Sequence, residues 1–175
     1  DIETATNPDA IGFLPEPAAP ANYKDADKIA QYVTEKKTEQ FQQAPLDADL
    51  GKVIAIALQR GLENAAEVCL VGDPDTSDEE ALLRFFWSNF AQLNGRVCGY
   101  NILGFDLPYL LRRSMYLGVK VPRQPVLARY RIEPVTDLMM ILCGWDTYKA
   151  KPLKQVAKLL HLTPLCPDAD GSKVQ

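Results

Sequence analysis

Histidine is nearly absent from this sequence, which contains 175 residues and one histidine, His161. A Ser-His-Asp or Cys-His arrangement therefore has only this side chain available. Because His161 lies between two leucines at the predicted end of an amphipathic helix, we interpret it as a capping or half-buried residue. The glycine-rich loops that cradle phosphates in dinucleotide-binding and P-loop proteins are also missing, since Gly95, Gly99 and Gly104 fit neither pattern.

Paired cysteines are absent as well. The four cysteines are Cys69, Cys98, Cys143 and Cys166. Their wide separation matches neither the ligand spacing of zinc sites nor the framework of a small disulfide-rich protein. We therefore predict reduced core thiols in a cytoplasmic protein, without a structural zinc site.

The sequence has no apolar run near the roughly 20 residues that a membrane span requires. Its composition, 47% hydrophobic and 24% charged, is typical of a soluble globular protein. We predict one domain over residues 1–175, large enough to bury about 70% of its unfolded surface. The first residue is Asp rather than Met and no basic-then-apolar leader precedes it, so we interpret the chain as a processed product or a fragment.

The net charge of -4 argues against a nucleic-acid-binding protein, but the charge is unevenly distributed. Residues 1–91 contain 17 acidic and 7 basic residues, whereas residues 92–175 contain 6 acidic and 12 basic residues. The basic half could face a polyanion. The alternative is an ordinary solvated surface of mixed charge.

Hydrophobic periodicity and turn residues predict an alternation of strands and helices. The predicted helices cover 25–43, 105–116 and 152–162, together with a helix that a Ser77 capping box starts and Asn94-Gly95 ends. The predicted strands cover 51–59, 66–72 and 96–101; residues 135–143 fit either type, and the proline-rich segment 8–22 is predicted to be a surface loop. In the last helix we expect Leu153, Val156, Leu159 and Leu160 to face inward. This order indicates an α/β fold with a mixed sheet and no internal repeat.

Two short motifs carry carboxylates. On a strand, Asp1-Ile2-Glu3 places both acids on one face, where they could share a hard cation, although any half-exposed strand can have this pattern. Residues 99–106, Gly-Tyr-Asn-Ile-Leu-Gly-Phe-Asp, join a predicted strand end to a helix start. Asp106 suits the dipole of that helix, but beside the first motif it would also complete a three-carboxylate cage for a divalent metal.

Together these motifs resemble the DEDD 3'-5' exonucleases. Asp1-Ile2-Glu3 is similar to their first motif, and Asn101, three residues, Phe105 and Asp106 are similar to the second. The closest resemblance is to the predicted exonucleases related to the proofreading domain of family B DNA polymerases. It extends to Asn22-Tyr23-Lys24-Asp25, Leu46-Asp47 and the closing segment 170–174, and so covers nearly the whole chain.

The resemblance implies a ribonuclease-H-like fold, a mixed sheet flanked by helices and truncated at both ends. It implies removal of nucleotides from the 3' end of single-stranded or frayed DNA with two Mg²⁺ or Mn²⁺ ions. Asp1, Glu3 and Asp106 would be catalytic metal ligands, and Thr4, Asn101 and Phe105 would contact the substrate. Such a site needs several carboxylates, which would repel one another without metal.

The third motif of these enzymes, a Tyr or His shortly before an Asp, is expected beyond residue 175. We therefore expect an incomplete exonuclease-like domain. Asp137 is a further candidate for the site, although a surface or capping role is the simpler interpretation.

Basic and aromatic side chains near the second motif are candidates for nucleic-acid contacts. Arg112 and Arg113 are predicted to bind the substrate backbone, within a basic run that also includes Lys120, Arg123, Arg129 and Arg131. The aromatic residues Tyr100, Phe105 and Tyr109 could stack on a frayed base or belong to the core. Two alternatives stay open, namely an RNA substrate at the same site and a non-catalytic nucleic-acid-binding module. We predict no membrane partner, a role such as DNA repair, and an unidentified polymerase or repair partner.

Overall fold

The computed structural model describes residues 1–59, the backbone of 67–71 and residues 78–163. Strands β1 (Ile2–Thr6), β2 (Gly51–Gln59) and β3 (Glu67–Val71) form an antiparallel sheet in that order. Strands β4 (Val97–Gly99) and β5 (Val135–Asp137) form a parallel pair. The α/β class is confirmed, and within the described ranges the strands form two small sheets rather than the single mixed sheet that we predicted.

The helices are α1 (Ala26–Gln43), α2 (Glu79–Gln92), α3 (Asp106–Tyr116), α4 (Leu138–Leu142) and α5 (Leu153–Leu159). Short 3-10 segments occupy Pro8–Phe13, Ala44–Leu46 and Thr147–Lys149. The loop prediction for residues 8–22 was therefore wrong at its start, where one 3-10 segment forms. The ambiguous segment 135–143 contains both elements, since β5 passes directly into α4.

Side-chain caps mark where α1 and α2 begin. The Asp25 side chain accepts hydrogen bonds from the backbone of Asp27 and Lys28 at the start of α1. Asp78 does the same for α2 by accepting from the backbone N–H of Ala81 at 3.1 Å, so Asp78 is the capping residue, and the predicted Ser77 lies outside the described residues. The turn after α2 uses the left-handed residues Asn94 and Gly95, with φ of 55° and 76°.

The core lies between the antiparallel sheet and helices α2 and α3. Its most deeply buried side chains come from these elements and from β5: Val53, Ile56, Leu82, Leu83, Trp87, Leu107, Leu110 and Val135. Strand β2 and the i, i+3, i+4 positions of α2 supply most of them, and the helical spacing of α2 agrees with the predicted periodicity. This arrangement fixes β1 against β2 and places the start of α3 at one end of the sheet.

Helix α5 differs from the prediction. Among the described residues, Leu153, Leu159 and Leu160 are exposed, so their expected inward orientation was wrong, and only Val156 is half-buried. Helix α5 is short, and none of its residues is buried.

The cysteine prediction is partly wrong. Cys143 is buried, but Cys98 is exposed on β4 and is not a core thiol. The side chains of Cys69 and Cys166 lie outside the described residues. No described helix combines the length and the apolar composition needed to cross a bilayer.

Candidate active site

The first strand and the start of α3 meet at one end of the antiparallel sheet. The Asp106 carboxylate lies beside the backbone N–H of Ile2, and its charge acts on the Glu3 carboxylate. The fold therefore brings together two motifs that are about a hundred residues apart in sequence. Two of the three predicted metal-ligand carboxylates, Glu3 and Asp106, lie within electrostatic reach of each other.

Both carboxyl groups resist ionisation. Burial raises the pKa of Glu3, and the nearby charge of Asp106 raises it further, while the α-amino group of Asp1 opposes both effects. Burial also raises the pKa of Asp106, against the α-amino group and two backbone hydrogen bonds, and the charge of Asp137 raises it further. Raised pKa values in two neighbouring carboxyl groups are characteristic of sites that gain from a bound cation.

Asp1 is held through its backbone. Its carbonyl accepts from the N–H of Ala57 at 2.9 Å and its α-amino group donates to the carbonyl of Ala57 at 3.0 Å. The residue itself is exposed. Within the described ranges, no three His, Cys, Asp or Glu side chains are grouped so that they could hold a metal ion together.

The second motif folds into a tight loop before α3. Asn101 is left-handed, with φ of 63°, and its carbonyl accepts from the N–H groups of Gly104 at 3.0 Å and Phe105 at 2.9 Å. A Cβ at Gly104 would lie 2.3 Å from Asn101 Oδ1. A larger residue at position 104 would therefore displace the Asn101 side chain, which covers this glycine.

The Asp137 side chain is hydrogen-bonded to the backbone of this loop. Its side chain accepts from the backbone N–H of Asn101 and of Leu103, both at 3.0 Å, and also from those of Met139 and Met140 at the start of α4. The predicted capping role is confirmed, but Asp137 is 1% exposed and is not a surface residue. Its link to the second motif, across 36 residues, had no signal in the sequence.

Thr4 and Phe105 contact the same tyrosine. The Phe105 ring is half-buried and lies against Tyr109, with ring centroids 5.4 Å apart. The Thr4 side chain lies beside the Tyr109 hydroxyl. Tyr109 belongs to the core, which agrees with the second of the two interpretations open for it.

The two neighbouring arginines have different environments. Arg112 is exposed beside Asp49, with 3.3 Å between its Nη1 and Asp49 Oδ1, and lines an open groove that Phe105 also borders. Arg113, predicted to bind substrate, instead points into the core and is 5% exposed. Its guanidinium donates to both oxygens of Glu79 at 2.9 and 2.8 Å and to the Ala48 carbonyl at 3.2 Å, so it is occupied there.

The remaining candidates for nucleic-acid contacts have different environments. The side chains of Lys120, Arg123, Arg129 and Arg131 in the basic run are exposed. The Tyr100 hydroxyl is engaged with the Lys151 carbonyl.

The chemistry of the converging groups fits a hard divalent cation. Glu3 and Asp106 offer carboxylate oxygens, which Mg²⁺ and Mn²⁺ prefer, and no thiol or imidazole accompanies them in the described contacts. Two carboxylates alone are fewer ligands than two cations require. Glu3 and Asp106 could therefore provide only some of the ligands that such a site needs.

In a comparison with protein-family models, residues 41–175 match the family described as predicted 3'-5' exonucleases related to the exonuclease domain of PolB. This range covers more than half of the chain and includes the second motif, but it begins after β1 and the first motif. No curated protein and no solved structure matched at the significance required.

Proposed function

Because the chain belongs to the family of predicted 3'-5' exonucleases related to the exonuclease domain of PolB, we propose that it is an exonuclease. The reaction would be hydrolysis of the phosphodiester bond at the 3' end of single-stranded or frayed DNA. The observation that carries the proposal is the contact between Asp106 and the first strand, which brings two acids with raised pKa values to one point.

We propose that the enzyme depends on Mg²⁺ or Mn²⁺, with Glu3 and Asp106 as ligands and Asp1 beside them. When bound, such ions supply an activated water and stabilise the leaving oxygen in phosphodiester hydrolysis. A cation would also relieve the repulsion between the two acids, and their raised pKa values support this role.

The surrounding residues support a nucleic-acid substrate. Phe105, which directly precedes Asp106 in the sequence, and exposed Arg112 border the same groove, so an aromatic face and a cation are available there for a base and a phosphate. Asn101 shapes the loop that precedes Asp106, and Thr4 lies beside Tyr109, so we assign both to the support of the site.

The test is a cleavage assay on the full-length protein with a 5'-labelled single-stranded oligonucleotide. We expect a ladder that shortens from the 3' end with Mg²⁺ or Mn²⁺ and no products with a chelator. Glu3→Gln should abolish the ladder, because it removes a ligand charge while keeping the side-chain size. An RNA oligonucleotide of the same sequence tests the choice of sugar.

The matched control is Glu39→Gln, since Glu39 is an exposed carboxylate paired with Lys36 on α1. This variant should cleave like the wild type. Cleavage that persists in the chelator, or a Glu3→Gln variant as active as the control, contradicts the proposal. Metal-independent binding of the oligonucleotide without cleavage would instead identify a non-catalytic nucleic-acid-binding module.

A further inference from the structure

One buried hydroxyl connects three elements around the candidate site. Tyr109 is 3% exposed, and its hydroxyl donates to the Pro45 carbonyl at 3.0 Å in the 3-10 segment before β2. The same 3-10 segment packs against β1, whose Thr4 side chain lies beside the Tyr109 oxygen. Helix α3, strand β1 and the chain entering β2 thus meet around this hydroxyl.

The backbone is shaped to receive this hydroxyl. A Cβ at Gly51, the first residue of β2, would lie 2.1 Å from Tyr109 Oη. Any larger residue at Gly51 would therefore displace the tyrosine or the strand. The close approach is possible because glycine has no side chain.

The residues of this connection are close in sequence to the two acids. Tyr109 is three residues after Asp106 on α3, which places the two residues on adjacent turns of one helix face. Thr4 follows Glu3, at the point where the pairing of β1 with β2 shifts by one residue. Such irregularities change the direction of side chains, so the orientation of Glu3 depends on what fixes Thr4.

We propose that Tyr109 is a positioning residue that sets the spacing between Glu3 and Asp106. It does not touch the substrate in this role; it holds the strand that carries one acid against the helix that carries the other. The consequence for catalysis rests on the proposed nuclease function, whereas the anchoring of β1 does not.

The first experiment removes only the hydroxyl, with Tyr109→Phe. We expect kcat for the labelled oligonucleotide to fall about tenfold, as when the support of a metal ligand is lost, while KM stays within about twofold. Mn²⁺ affinity, measured by electron paramagnetic resonance, should weaken in parallel. Hydrogen exchange at the amides of Glu3 and Thr4 should accelerate about fivefold, the effect of one lost hydrogen bond.

Ser114→Ala is the matched control on the same helix. Ser114 is also buried, and its hydroxyl accepts from Trp87 Nε1 at 2.8 Å and donates to the Leu110 carbonyl at 2.6 Å, away from β1. This variant should lose a similar amount of thermal stability. Its kcat, its Mn²⁺ affinity and the exchange of the Glu3 and Thr4 amides should match the wild type.

A second variant tests the contact from the other side. Gly51→Ala should lower kcat more than Tyr109→Phe does, because the new Cβ would overlap the hydroxyl. In the double variant the oxygen is gone, so part of the Gly51→Ala loss should be recovered, which is the opposite of additive behaviour.

Two results would overturn the proposal. One is equal exchange of the Glu3 and Thr4 amides in Tyr109→Phe and Ser114→Ala, and this result applies whether or not the protein cleaves DNA. The other is a wild type that cleaves DNA together with a Tyr109→Phe variant of unchanged kcat. A wild type without cleavage refutes the proposed function alone, and the exchange data then decide the anchoring.

Discussion

Asp106 and Asp137 are both buried aspartates, but the groups around their carboxylates differ. The Asp137 carboxylate receives four backbone N–H groups, from Asn101, Leu103, Met139 and Met140. The Asp106 carboxylate lies near Glu3 and has a raised pKa. The comparison shows that burial alone does not identify a functional acid; its remaining partners do.

Glu79 is a third buried acid, and its partners differ from those of Asp106 and Asp137. It is buried, and its charge is neutralised by Arg113 while one of its oxygens also accepts from the backbone of Val53 at 2.8 Å. Glu79 and Asp137 are thus provided with protein donors, whereas burial, with the charge of Asp137, raises the pKa of Asp106 despite the backbone groups and the α-amino group near it. A cation would supply Asp106 with what the protein supplies to the other two.

The largest expected effect is on activity, from Asp106→Asn. The neutral side chain cannot contribute charge to a cation, so we expect cleavage to fall by at least about 100-fold, above the loss typical of indirect support. The assay is the shortening of the 5'-labelled oligonucleotide. Unchanged cleavage would show that Asp106 is not needed for the reaction and does not differ from Asp137 in this respect.

The same variant should be more stable than the wild type when no divalent metal is added. Because burial raises the pKa of Asp106, the folded state binds that proton more tightly, and stability is lost as pH rises through this pKa. Asparagine has no charge to lose stability in this way. We expect Tm at pH 7 to rise by up to about 3 °C and the difference to vanish below about pH 3.9.

Arg113→Met tests the buried ion pair between Arg113 and Glu79. It leaves Glu79 buried without its guanidinium, so we expect the free energy of unfolding to fall by about 3–5 kcal/mol in urea titrations. Glu79→Leu combined with Arg113→Met should recover part of this loss, because no unpaired charge remains. A single variant of wild-type stability would show that Arg113 does not neutralise Glu79.

Asp137→Ala tests the acid that backbone groups satisfy. Several N–H groups would lose their acceptor, and we expect a loss of about 3 kcal/mol, the cost of leaving buried donors unpaired. The loop at Asn101 should also exchange its amide hydrogens faster. Asp137→Asn keeps an acceptor oxygen and should be less destabilising than Asp137→Ala, whereas equal losses would show that charge and not hydrogen bonding matters here.

The smallest effect is expected from Arg112→Ala. Arg112 is exposed, and its contact with Asp49 contributes little to stability, so unfolding should change by less than about 1 kcal/mol. If Arg112 contacts one phosphate, KM should rise and the salt dependence of oligonucleotide binding should decrease by about 0.7 in log-log slope. The same titration on Lys28→Ala, an exposed cation of α1, is the control.

Much of the local structure was predictable because its causes are close in sequence. Strand β2 has the predicted bounds, and α1 and α3 begin within one residue of the prediction, since capping residues, prolines and apolar periodicity act over a few positions. The second motif also indicated a loop between a strand and a helix. The inward orientation of α5 was wrong because periodicity reveals an apolar face but not what packs against it.

The sequence by itself determined the α/β class, the main strands and helices, and two carboxylate motifs that resemble those of exonucleases. Only the tertiary structure decided that Arg113 points into the core, that Asp137 holds the loop at Asn101, and that Tyr109 connects α3 to the 3-10 segment before β2. These contacts join residues 34, 36 and 64 positions apart. Such pairings depend on how whole elements pack, and a local pattern of residues does not encode them.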